Sequence, residues 1–173
     1  MNETIKNLIE RRSCRQFLKE VIKDEELQKI LTAGTYAPSG MGRQSAVIIA
    51  IENQDVIKEL SIQNAKIMGQ ASDPFYGAST VVAVLADKTI ATHVEDGSLV
   101  LGNMMNAAYS LGIGSCWIHR AKETFETTVG KKLLAEWGLS DNYVGIGFCI
   151  LGYPAKPYLP AKPRKKDYIR IIH

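Results

Sequence analysis

Two short basic segments concentrate the groups in this sequence that are able to do chemistry. Arg11-Arg12-Ser13-Cys14-Arg15 places three guanidinium groups and a hydroxyl within five residues. Guanidinium forks grip phosphate oxygens in pairs, and a serine hydroxyl adds another donor. A basic cluster at a helix end also complements the negative pole of the helix dipole, so spacing alone leaves both readings open. The second segment is Lys162-Pro163-Arg164-Lys165-Lys166. By itself it reads as a solvated tail, but prolines at 154, 157, 160 and 163 stiffen the chain that delivers it. Polyproline II has three residues per turn, and ten such residues reach about 30 Å, so an extended arm with a defined position is expected.

Charge distribution supports a common target for the two clusters. Residues 1–24 carry +2, residues 161–173 carry +4, and residues 25–160 carry −3. All the positive excess lies outside the acidic middle, which suits one compact anion better than the broad basic face that nucleic acid requires. Two glycine-bearing loops are further candidates. Pro38-Ser39-Gly40-Met41-Gly42 offers backbone that a flat ligand can approach closely, or is an ordinary helix-to-strand loop. Gly112-Ile113-Gly114-Ser115-Cys116-Trp117-Ile118 lacks the third glycine of a dinucleotide fingerprint and follows a helix rather than a strand. Its backbone N–H groups remain candidates to face a ligand's carbonyls or ring nitrogens.

Other chemistries lack their residues. His93, His119 and His173 have no metal-ligand spacing, and there is no nucleophile elbow or P-loop. Cys116 in an apolar run reads as core rather than as a nucleophile. Phosphate-suited segments without a recognisable acid, base, metal or nucleophile set suggest that a cofactor supplies the chemistry.

The elements that must position these groups follow from periodicity. With 173 residues, 46% apolar and 23% charged, the chain is expected to form one domain over 1–173, with 154–173 as an extended C-terminal arm. Three cysteines without C-x-x-C pairing argue against a disulfide framework or a zinc site, and the first residues lack a secretion signal, so a cytoplasmic protein is expected. Helices are expected over 4–11, from Asp24 to about Gly34, over 54–68, over 90–111, and around Val129 to Trp137. Buried strands are expected over 46–51, 80–86 and 143–151, and Tyr168 to Ile172 read as a short final strand. Residues 97–119 carry no Asp, Glu, Lys or Arg. Their asparagines, serines and glycines argue against a membrane span and for a helix buried against protein, including a second subunit.

Several motifs, in order, resemble the FMN-dependent nitroreductase family, most closely its short members. They are Arg-Arg-Ser-Cys-Arg-Gln-Phe at 11–17, Ala-Pro-Ser-Gly-Met-Gly-Arg-Gln at 37–44 and Leu-Gly-Asn-Met-Met-Asn-Ala-Ala at 101–108. Gly-Ile-Gly-Ser-Cys-Trp-Ile at 112–118, Leu-Gly-Tyr-Pro at 151–154 and Lys-Pro-Arg-Lys at 162–165 complete the set. The resemblance implies an α+β fold, with a mixed, mostly antiparallel central sheet flanked by helices. It also implies an intertwined homodimer holding FMN at two interface sites. Carried over, it assigns Arg11, Arg12, Ser13 and Arg15 to the FMN phosphate, with Lys162 and Arg164 closing on it. Pro38, Ser39, Gly40 and Met41 would come from the partner subunit to pack near the isoalloxazine. Asn64 would contact the flavin ring, and backbone groups around Ser115, Cys116 and Trp117 would lie beside it. Gly42, Ser45 and Ala46 depart from the asparagine and Pro-Trp that many relatives carry there.

The activity implied is an oxidoreductase. FMN takes hydride from NAD(P)H and passes it by ping-pong to a nitroaromatic, quinone or similar small acceptor, with no side chain required as acid or base. The alternative is an FMN-binding module, a store or sensor with little turnover. Neither reading involves a nucleic acid or a membrane.

Overall fold

The computed structural model describes residues 1–173. Its framework is a four-stranded sheet made of β1 (Ala46–Ile51), β2 (Thr80–Asp87), β3 (Gly114–Ile118) and β4 (Tyr143–Gly152), in the order β1-β2-β4-β3. All three strand pairings are antiparallel. The expected mixed character is confined to one isolated parallel bridge, Ser13 to Ser115.

β2 is buried almost throughout because both faces of the sheet are covered. Alternation along the strand divides the core in two. Val81, Ala83 and Leu85 join Phe148, Ile150, Cys116 and Ile118 on one face, under α3 (Gln54–Met68), α5 (Ala121–Glu126) and α6 (Thr128–Glu136). Val82, Val84, Cys149 and Leu151 face the other way, under α2 (Asp24–Thr35) and α4 (His93–Ser110). α1 (Glu3–Glu10) lies over α4 without a single buried residue.

Local sequence explains the elements. Asn53 caps α3 by accepting hydrogen bonds from Asp55 and Val56, and Gly69 ends it in the left-handed conformation. Between Val84 and Leu85 the β2–β4 register slips, leaving Ile146 as the extra residue of a bulge. Ile146 presses on α4 at Gly97, where an added Cβ would lie 2.6 Å from its side chain.

Two expected features differ. Residues 114–118, read as a ligand loop, are instead edge strand β3, and α5 follows directly. The expected strand over 168–172 is not formed: only a single 3-10 turn at Lys166–Tyr168 interrupts the extended tail, and Ile171 and Ile172 are exposed. No strand of this chain pairs with residues 168–172, so their backbone has no ladder to join. No helix is long and apolar enough to cross a membrane.

Candidate functional site

The two basic clusters meet. A cavity of about 620 Å³ is lined jointly by residues 11–16 and by residues between 156 and 164. It takes in Arg11, Arg12, Ser13, Arg15, Lys162 and Arg164, all six proposed from the sequence as phosphate ligands. Lys156 adds a cation, and no aspartate or glutamate faces the space.

Backbone pairing makes the convergence possible. The Cys14 N–H donates to the Ser115 carbonyl on β3 at 2.8 Å, which anchors the first segment to the sheet edge. The Leu18 N–H then donates to the Tyr153 carbonyl, and the Ala155 N–H to the Gln16 carbonyl, each at 2.9 Å. The chain leaving β4 is thus zipped to the chain leaving α1. Tyr158 packs against Tyr109 of α4, ring centres 5.5 Å apart, and turns the arm back over the cavity. Arg164 donates from Nη2 and Nε to the Lys162 carbonyl, at 2.7 and 3.2 Å, tying the last two cations together.

Several donors here have no acceptor within the protein. Arg12 spends Nη1 on the carbonyls of Ile9 and Arg11, both at 2.7 Å, while its buried Nε is unpartnered. Arg11 Nη1, Tyr158 Oη and Ser115 Oγ are likewise buried without partners. A buried unpaired donor costs about 1–3 kcal/mol, so this arrangement favours an anion with several acceptor oxygens. Burial above all, with Cys14 and Tyr109 nearby, pushes the Tyr158 phenol up to about 12, which keeps it a donor. Burial also raises the thiols of Cys14 and Cys149, the latter to about 12, so neither is an activated nucleophile.

Arg15 also borders a second cavity of about 340 Å³, with Trp117, Tyr76, His119 and Arg120. Its guanidinium lies over the Tyr76 ring, 5.9 Å from the centre. Ser115 and Cys116 lie on β3 with buried side chains and line neither cavity, whereas Trp117 borders the second. Asn64 stands apart. Its side chain is fully buried, donates to the His119 carbonyl at 2.8 Å and accepts from Arg120 Nε at 3.1 Å. Turned to His119 and Arg120 in this way, Asn64 lines neither cavity.

The Pro38–Met41 loop lies elsewhere, and Pro38 and Ser39 line a separate cavity of about 270 Å³. Buried Asp96 holds the loop by accepting from the Gly40 N–H at 2.9 Å, the Ser45 hydroxyl at 2.7 Å and the Thr92 hydroxyl at 3.2 Å. Burial, the largest influence, pushes the Asp96 carboxyl up. The hydrogen bonds, led by that of Ser45, together outweigh it and leave the group below its ordinary 3.8. Only glycine fits at position 40, since a Cβ would sit 2.3 Å from Thr92 Oγ1. Met41 follows at φ 56° and is 87% exposed.

Sequence reasoning missed Lys156, Tyr158, Asp96 and Arg120. Tyr158 lies between two prolines of the arm, where its burial is invisible without the Tyr109 contact. Ser45 was noticed only as a departure, and its partnership with Asp96 spans 51 positions.

The nitroreductase family model matches residues 8–153. A relative from Archaeoglobus fulgidus, under the provisional name NADH dehydrogenase/NAD(P)H nitroreductase, is 31% identical over 159 residues, covering 89% of this chain and 87% of its own. The crystal structure of an FMN-bound nitroreductase from Bacteroides fragilis superposes with a TM-score of 0.91 at 29% identity, covering 100% of both chains. A second FMN-bound nitroreductase, from Desulfitobacterium hafniense, gives 0.88 at 29% identity with the same coverage. The chain belongs to the nitroreductase family.

Proposed function

We propose that the protein is an FMN-dependent oxidoreductase that carries reducing equivalents from NAD(P)H to a nitroaromatic, quinone or similar small acceptor, in a ping-pong sequence. The observation that carries this reading is the acid-free cavity in which Arg11, Arg12 and Arg15 meet Lys162 and Arg164 beneath unpartnered donors. A phosphate monoester fits that chemistry, because its oxygens accept from several guanidinium groups at once. When bound, FMN would supply the two-electron chemistry, accepting hydride from NAD(P)H and releasing it to the acceptor that takes its place.

The chain's own residues bind and orient. Arg11 Nη1, Arg12 Nε and the Tyr158 hydroxyl would hold the phosphate, with Ser13 beside them at the sheet edge. Arg15 borders both cavities, so its cation would lie between the phosphate subsite and the Trp117 side. No histidine, carboxylate or thiol near the site need move a proton.

We also infer that two copies assemble. Pro38 and Ser39 line a cavity with no residue in common with the cationic one, and Met41 is exposed. Ile5, Leu8 and Ile9 on α1 and Ile169, Ile171 and Ile172 in the tail are exposed apolar groups that a second protomer would cover.

The reading is tested on the purified protein. It should be yellow, and NADH or NADPH under argon should bleach it, with colour returning on addition of a quinone. A colourless protein that takes up no added FMN refutes it, and a yellow protein that no pyridine nucleotide bleaches returns it to a binding module.

A further inference from the structure

The 340 Å³ cavity beside the phosphate site holds two cations and one carboxylate, with no salt bridge between them. Neither Arg15 nor Arg120 is ion-paired, the two salt bridges of the chain being Lys29–Glu25 and Lys132–Glu136, both elsewhere. The one carboxylate lining this cavity, Asp73, offsets one of the two arginine charges and leaves a net positive lining. It accepts from the Ser61 hydroxyl and from the N–H groups of Phe75 and Gly77, at 2.6, 2.8 and 2.6 Å, and so organises its own loop.

Arg120 is also held at a conformational cost. Its φ of 71° and ψ of 19° lie in the left-handed region, uncommon for a residue with a side chain. Such backbone persists where the surroundings over-determine it, and it clusters at ligand sites. Here the surroundings are visible. Nε donates to Asn64 Oδ1 at 3.1 Å, and Nη2 lies 3.2 Å from Met68 Sδ. Asn64 is itself locked by the His119 carbonyl at 2.8 Å and is fully buried. A guanidinium fixed along one edge keeps its remaining N–H groups for something outside the protein. Tyr76 adds an aromatic ring to the same cavity.

We infer that Arg120, positioned by Asn64 and aided by Arg15, selects acceptors that carry a carboxylate, so that the preferred electron acceptor is a planar organic acid. The inference rests on the oxidoreductase reading above. A guanidinium fork pairs with a carboxylate through two parallel hydrogen bonds, while the ring of such an acid lies against the free face of Tyr76. Arg120 is thus a specificity residue, and Asn64, which acts through it, is a positioning residue.

The test uses benzoate, which carries the carboxylate but cannot be reduced, and benzyl alcohol as its neutral counterpart. Calorimetry on FMN-loaded protein should show benzoate binding at least tenfold more tightly. Arg120→Gly removes the fork and relieves the left-handed backbone but leaves buried Asn64 Oδ1 without its donor, so its Tm is measured alongside and Arg120→Lys serves as the second variant. Arg120→Gly should abolish the preference, while Arg120→Lys, a point charge without the fork, should keep part of it. The ratio of kcat/KM for 4-nitrobenzoate over 4-nitrobenzyl alcohol should fall at least tenfold in Arg120→Gly. Equal binding of the two probes by the unmodified protein overturns the proposal, as does a preference that survives Arg120→Gly. A weakened hold on FMN with the benzoate preference intact also overturns it, by assigning the cation to the cofactor. If the unmodified protein holds no FMN, the oxidoreductase reading fails by absorbance, and benzoate titration of the same sample still decides the role of Arg120.

Discussion

Replacing Arg11 by alanine should separate the phosphate from the rest of the flavin. Arg11 Nη1 is buried and has no partner within the chain, so the mutation removes a donor already stripped of water and aimed at the anion. A hydrogen bond to a charged group contributes about 1.5–3 kcal/mol. With about 1.4 kcal/mol per decade, FMN should bind roughly 10- to 100-fold more weakly. Lys162 sits on the exposed arm in the same cavity. Its charge is screened by solvent and contributes about 0.2–1 kcal/mol, so Lys162→Ala should weaken binding less than about fivefold. The assay is quenching of flavin fluorescence, titrated with FMN and, in parallel, with riboflavin, which has the ring and ribityl chain but no phosphate. Arg11→Ala should leave riboflavin binding unaltered, and added salt should weaken FMN binding alone. If riboflavin loses as much affinity as FMN, Arg11 supports the fold rather than the phosphate. If neither changes, the acid-free cavity is not the phosphate subsite.

Other predictions follow from single contacts. Tyr158→Phe deletes an unpartnered hydroxyl from the same cavity and should weaken FMN, not riboflavin, by about tenfold, the low end for a hydrogen bond to a charged group. Asp96 lies below its ordinary 3.8 when folded, so the stability it confers is present above that pH and is lost as pH falls through the lower folded value. Asp96→Asn should therefore flatten the acid limb of a Tm-against-pH curve below about pH 4, while lowering Tm at neutral pH. Gly145→Ala would set a Cβ 2.4 Å from the Ala121 backbone, where β4 meets α5, and backbone cannot step aside. Overpacking of this kind costs about 1–3 kcal/mol, so thermal unfolding should drop by a few to about ten degrees.

Much of the fold was legible because its signals are local. β1 and α3 begin and end where β-branched runs, the Asn53 cap and Gly69 place them. β2 and β4 extend one residue past expectation, as strand ends do. β3 escaped notice because Gly-Ser-Cys-Trp-Ile shows no alternation. Its strand character comes from pairing with β4 and from Cys14 donating to Ser115, both distant in sequence. α5 was hidden because it starts from a left-handed arginine rather than a capping Ser, Thr, Asp or Asn. For the site, charge arithmetic located the two clusters that meet, since the acidic middle excluded other positive regions. It could not reveal Asn64's burial, which depends on Arg120 folding back across 56 positions. Nor could it show that an arm rich in β-formers has no strand to join.

The stitching of residues 14–18 to 115 and 153–155 has a further consequence, for biosynthesis. One wall of the cationic cavity is made within the first sixteen residues translated, and the other is complete only at residue 164. A nascent chain still on the ribosome therefore displays Arg11 and Arg12 with nothing opposite them. A phosphate held by both walls would therefore be captured only after almost the whole polypeptide has been synthesised.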